Sequence, residues 1–128
     1  MTLLEILISI AVLIPALIAI LYTYISNLYW SELVRQKNIA LDHQIALMET
    51  IKCTSFSNML SKFPDAVIDG PVANPYSNIA GGYTLGNEHI TVTYANSSSD
   101  PLEIIVTVTW QDIRGRPLTS ALTTMRAS

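Results

Sequence analysis

Hydrophobic positions along the chain change rhythm twice. From Ile6 to Trp30 they are nearly continuous, with no Asp, Glu, Lys, Arg or His among them. Beyond Trp30 they adopt helical spacing: Trp30, Val34, Leu41, Ile45 and Met48 recur at steps of three, four and seven. Glu32, Arg35, Asp42 and Glu49 fall largely elsewhere, as on an amphipathic helix. The two stretches together predict one helix of roughly 50 residues, about 75 Å long, ending near Lys52–Ser57. A domain of this size does not cover such a helix, so half of it must meet lipid or other chains. The segment from Ser55 to Gly82 reads as a loop, because Pro64, Pro71, Pro75, Gly70, Gly81 and Gly82 interrupt any long element. After it the period becomes two. Ile90, Val92 and Tyr94 alternate with Thr91 and Thr93, and Ile104, Val106, Val108 and Trp110 alternate with Ile105, Thr107 and Thr109. A third strand candidate runs from Pro117 to Met125. Asn96–Pro101 and Gln111–Arg116 are the intervening turns.

The expected fold is therefore α+β. Residues 1–30 form an apolar transmembrane or filament-core helix, and residues 31–54 are its amphipathic continuation. Residues 55–128 are a loop plus a three-to-four-stranded antiparallel sheet, a head whose apolar face lies on Trp30–Met48.

Composition sharpens this picture at one point and narrows it at another. Of 128 residues, 13% are charged, about half the usual share for a soluble domain. Most of that deficit sits in the first quarter of the chain. A net charge of -3 with scattered basic residues argues against nucleic acid as a direct partner, since phosphate binding needs clustered Lys and Arg. The single cysteine, Cys53, forms no intrachain disulfide and reads as a buried apolar filler.

The run Ile6–Trp30 is long enough to cross a hydrocarbon core of about 30 Å. It is too long for a signal-peptide core, and Met1-Thr2-Leu3-Leu4-Glu5 carries an acid where such a peptide is basic. Tyr22, Tyr24, Tyr29 and Trp30 gather at its far end like an interfacial aromatic belt, and Glu32, Arg35 and Lys37 follow at once. Glu5 is the only charged side chain before Glu32. Its carboxylate either favours the positive end of the helix dipole among lipid headgroups or awaits a cation from a neighbouring copy, such as a free α-amino group at residue 1. Pro15 removes one helical hydrogen bond and crowds the carbonyl of Ala11. It is either a tolerated membrane proline or a point where the helix bends or opens to fit identical neighbours.

The N-terminal residues Met1-Thr2-Leu3-Leu4-Glu5-Ile6-Leu7-Ile8-Ser9-Ile10-Ala11 resemble the mature N-terminus of the type IV pilin family, which includes the pseudopilins of type II secretion. Thr2, Leu3, Leu4 and Glu5 match that pattern, and Met1 stands where Phe is usual. The resemblance covers about the first 30 residues. Val106–Trp110, Gly115-Arg116 and Leu122–Thr124 are weakly similar to the C-terminal strands of minor pilins and pseudopilins. The resemblance implies a short basic leader, cut by a prepilin peptidase that then methylates the new N-terminus at Met1. It implies that Glu5 pairs with the N-terminal amine of a neighbouring subunit. The family's helix-breaking proline lies at the position of Tyr22, so Pro15 is a departure. The chain also lacks the paired C-terminal cysteines of many major pilins.

No HExxH, CxxC, P-loop or GxSxG motif is present, and His43, His89 and Cys53 show no ligand spacing. We expect no enzyme activity, no catalytic residue, no metal and no cofactor. Asp65 and Asp69 flank a proline-rich loop and are candidate calcium ligands by similarity to some pseudopilins. Asn96-Ser97-Ser98 matches an N-glycosylation sequon.

The function expected from the sequence is a structural subunit of a helical pilin-like filament. Its partners are further copies of itself, the lipid bilayer before assembly, and an inner-membrane assembly machinery with its prepilin peptidase. The expected location is the inner membrane first, then an extracellular or periplasmic fibre. The alternatives are a minor priming or tip subunit of a pilus or type II secretion system, and a binding module on a membrane anchor that uses the loop Phe63–Gly82.

Overall fold

Helix α1 runs from Leu3 to Cys53, 51 residues, in the computed structural model, which describes residues 2–96, 98 and 100–127. Two units divide within α1: one ends at Arg35 and the other begins at Gln36. The last turn carries Lys52, a cation at the negative end of the helix dipole. Arg126 adds a second cation there, donating from Nη1 to the Ile51 carbonyl at 2.6 Å. The expected end of the helix is thus borne out.

The sheet is a meander. Strands β1 (Gly86–Tyr94), β2 (Leu102–Gln111) and β3 (Pro117–Arg126) pair antiparallel in the order β1-β2-β3. The α+β class and all three strands follow the period-two pattern of the sequence. Their register puts Ile90 beside Val108, Val92 beside Val106 and Tyr94 beside Ile104, all buried. On the other side Trp110 faces Leu118 and Val106 faces Leu122, which are half-buried because β3 is an edge strand. Burial of each large apolar side chain contributes about 1.5–3 kcal/mol.

The loop expected between Ser55 and Gly82 contains two short helices, α2 (Phe56–Lys62) and α3 (Tyr76–Ala80). Tertiary packing makes them, not helical periodicity. Met59, Phe63 and Tyr76 are fully buried, and the Phe63 and Tyr76 rings stack with centroids 6.0 Å apart. Between these helices the chain turns at Gly70, where φ is +77°. A Cβ there would lie 2.6 Å from the Tyr76 ring, so both backbone and space require glycine.

That loop seals one edge of the sheet. Ala66 N–H donates to the Val92 carbonyl at 2.9 Å, and Asp69 N–H donates to the Ile90 carbonyl at 2.7 Å. The carboxylates of Asp65 and Asp69 accept the N–H groups of Tyr94 and Ile90. An edge that would otherwise present unpaired donors and acceptors is thereby closed.

The face of α1 that packs against the sheet differs from the expected one. Trp30, Val34, Leu41 and Ile45 are exposed, and only Met48 of that stripe is buried. The buried face is Gln36, Ala40, His43, Gln44, Leu47, Met48 and Ile51. It mixes amides and an imidazole with aliphatic groups, and its polar members are held by specific partners on the sheet. Cys53 is likewise exposed, not buried.

Candidate functional site

The first unit owes its properties to what its side chains leave uncovered. Every Leu, Ile and Val from Leu3 to Leu28 is exposed, with Leu3 at 79% and Leu28 at 55%. Transferring each to an apolar environment is worth about 1.5–3 kcal/mol, so the segment as a whole favours such an environment by tens of kcal/mol. It is long and apolar enough to cross a membrane.

Its polar side chains are handled locally. The Ser9 hydroxyl donates to the Glu5 carbonyl at 2.8 Å, and the Thr23 hydroxyl donates to the Ala19 carbonyl at 2.9 Å. Bonding back one turn hides a hydroxyl that would otherwise be costly in lipid.

Glu5 lies in the first turn of α1, where a carboxylate complements the helix dipole. Its Oε2 accepts the backbone N–H of Thr2 at 3.4 Å, and its own N–H donates to the Thr2 carbonyl at 3.0 Å. Thr2-Leu3-Leu4-Glu5 thus forms one half of a capping box, in which an acid three residues into the helix reaches back to the first residue. The contact is long and exposed. Beside it Glu5, Ile6, Ser9 and Ile10 line an open hollow of about 380 Å³. Met1, the expected partner and processing site, lies outside the described residues. Pro15 lies inside α1, and in the single chain the helix continues on both sides of it.

In the second unit the side chains of Gln36, His43 and Gln44 tie α1 to the sheet. Gln36 Oε1 accepts the indole N–H of Trp110 at 3.2 Å. His43 Nδ1 pairs with Glu88 Oε1, and the Glu88 side chain is fully buried. Gln44, also fully buried, donates to the carbonyls of Val106 and Ser120 at 3.1 and 2.7 Å. Glu88 points inward in step with Ile90, Val92 and Tyr94, every second residue of β1, beside a β-bulge. Gly86 pairs with Gln111 and His89 with Thr109, so Asn87 and Glu88 together stand opposite Trp110. Its second oxygen accepts the N–H groups of Thr84 and Leu85 at 3.1 and 3.0 Å. Sequence reasoning missed all of these contacts. The only signal was that Gln36, Ala40, His43, Leu47 and Ile51 also recur at helical spacing.

The candidate calcium ligands are engaged elsewhere. Asp65 caps Tyr94, as described above. Asp69 accepts from Tyr83 Oη at 2.7 Å and from Ile90 N–H, and meets His89 Nδ1 at 2.7 Å. Partial burial pushes its carboxyl upward, but these hydrogen bonds and the His89 charge outweigh that and hold it below the usual carboxylate range. Burial and the neighbouring Asp69 carboxylate push the Tyr83 phenol well up. No group of three or more His, Cys, Asp or Glu positioned for a metal occurs among the described residues.

No protein-family model, curated protein or solved structure matches this chain. The reading of its function therefore rests on its own residues.

Proposed function

We propose that this chain is a structural subunit of a type IV pilin-like helical filament, held in a membrane by α1 before assembly, with no enzymatic role. The observation that carries the reading is a fully exposed apolar helical segment whose one charge, Glu5, sits in its first turn. The resemblance of Met1–Ala11 to mature pilins supports it. Removal from lipid is favourable only if the apolar surface is covered again, and identical helices from further copies cover it. A heterologous contact that does not close into a ring produces a fibre. Glu5 then acts as a register check, because an unpaired buried carboxylate costs far more than a paired one gains. The N-terminal amine of a neighbouring copy supplies the pair. The location that follows is the inner membrane first, then a surface or periplasmic fibre.

Cryo-electron microscopy of fibres sheared from cells making the chain, alongside Glu5→Ala, tests this. The expected result is a helical fibre built from this subunit and lost in Glu5→Ala, while the variant still reaches the membrane. Fibres that contain the chain only at an end would make it a minor priming or tip subunit.

A second reading has one observation in its favour. Thr2 N–H already gives Glu5 a local partner, so no neighbouring copy is required and the helix can serve as a plain anchor for a binding head. Glu5→Ala would then leave both localisation and oligomeric state unchanged.

A further inference from the structure

On the sheet face opposite Ile90 and Val108, the bulged end of β1 opens a hollow of about 280 Å³. It is lined by Asn87, His89, Thr109, Trp110, Gln111 and Pro117. We propose that this hollow is a binding site for a neutral saccharide. The inference goes beyond the filament reading and does not depend on it, because every residue involved belongs to the second unit.

Three features point to a sugar. The first is how the side chains are aimed. Asn87 has φ +47°, a left-handed conformation unusual for a non-glycine residue, and the bulge places it opposite its neighbour strand. Its Nδ2 donates to Gln111 Oε1 at 2.9 Å. That bond fixes both planar amides, turning the Asn87 oxygen and the remaining Gln111 N–H groups to other partners. His89 is oriented in the same way: Nδ1 is held by Asp69 Oδ2 at 2.7 Å, and Asp69 is itself fixed by Tyr83 and Ile90. The opposite ring nitrogen, Nε2, points away from that carboxylate.

The second feature is the balance of donors and acceptors. An amide oxygen, amide N–H groups, the Thr109 hydroxyl and an imidazole nitrogen offer both kinds at close spacing. A sugar hydroxyl is itself donor and acceptor, so a row of them matches such a mixture. An anion needs an excess of cationic donors, and a cation needs converging carboxylates. The residues lining the hollow include no carboxylate, Lys or Arg, and Asp69, which holds His89, is itself occupied by three partners.

The third feature is size and surface. A volume of about 280 Å³ suits a ligand the size of one sugar ring, and Pro117 offers an apolar wall for its C–H face. Trp110 does not serve as a stacking platform, because it is 3% exposed and its indole N–H is turned inward to Gln36. A site without an open aromatic face binds a monosaccharide in the millimolar range, and useful strength comes from many copies acting together.

Saturation-transfer NMR on the full chain in detergent micelles tests this, with the methyl glycosides of glucose, galactose, mannose and N-acetylglucosamine as probes. At least one should bind at millimolar concentration. Gln111→Ala and Asn87→Gly should each weaken it about tenfold or more, with thermal midpoint and circular dichroism unchanged. Thr109→Val, which preserves shape, should weaken it by a smaller factor. The proposal is overturned if none of the four glycosides binds. Equal binding by the Gln111 and Asn87 variants, or displacement by acetate or phosphate at lower concentration, would overturn it as well.

Discussion

His43 on α1 meets Glu88 on β1 through Nδ1 and Oε1, and the carboxylate has no solvent contact of its own. The pair fixes how the helix is seated on the sheet, because no rotation of α1 keeps it while burying a different face. Gln36 with Trp110 and Gln44 with Ser120 repeat the constraint above and below it. His43→Leu should therefore cost about 3 kcal/mol, since it leaves a buried carboxylate with only its two backbone donors. His43→Gln should cost less, because an amide N–H can still donate. Urea unfolding checks this: the midpoint should fall in the order wild type, Gln, Leu, with the slope unchanged.

Gly70 and Tyr76 make opposite predictions at one contact. Gly70→Ala should destabilise by about 2–4 kcal/mol, through left-handed strain and a Cβ driven into the Tyr76 ring. Tyr76→Phe should stabilise by about 1 kcal/mol. The Tyr76 hydroxyl is buried with no hydrogen-bond partner among the described residues, so its removal discards a desolvation penalty and keeps the stack on Phe63. Thermal midpoints of the two variants should move in opposite directions.

Acid should loosen the sealed edge of the sheet. The Asp69 carboxyl is held below its ordinary value, so its contribution is complete above the unfolded value of about 3.9 and is lost as pH falls through the lower folded value. Asp69→Asn lacks that component. The stability of wild type should fall more steeply than that of the variant below pH about 4.

Base should act through a different residue. Burial and the nearby Asp65 carboxylate raise the Tyr94 phenol to about 12, and its hydroxyl donates to the Phe63 carbonyl at 2.7 Å. The folded state holds this proton more tightly than the unfolded one. Stability from Tyr94 is thus intact below pH about 10 and declines from there to about 12. Tyr94→Phe should lose stability at neutral pH, for want of its hydrogen bond, and decline less above pH about 10. Ultraviolet phenolate titration beside urea unfolding would register both effects.

The strands were legible in the sequence and the seat of the helix was not. Ile104, Val106, Val108 and Trp110 alternate without exception, and a period of two leaves one choice of inward face. On α1 two stripes compete. Trp30, Val34, Leu41 and Ile45 form the more apolar one and remain exposed, whereas the buried one contains Gln36, His43 and Gln44. Hydrophobicity ranks those three last. They are buried because Trp110, Glu88 and Ser120, far along the chain, complete their hydrogen bonds, and no local pattern carries that information. The same limit hid α2 and α3, whose buried Met59 and Tyr76 are too few to make a period. At Glu5 the acid was evident from sequence, but its contact with the Thr2 N–H was not. At the proposed saccharide site Asn87 gave no warning of its left-handed backbone.

The closure of β1 by the segment from Asp65 to Asp69 gives the sheet a handed vulnerability. One border is occupied by the chain's own loop. The other is β3, which from Pro117 to Met125 carries no charged side chain to repel a newcomer. A strand arriving from elsewhere can extend this sheet from one side only, so mispairing during overproduction would grow in a single direction, outward from β3.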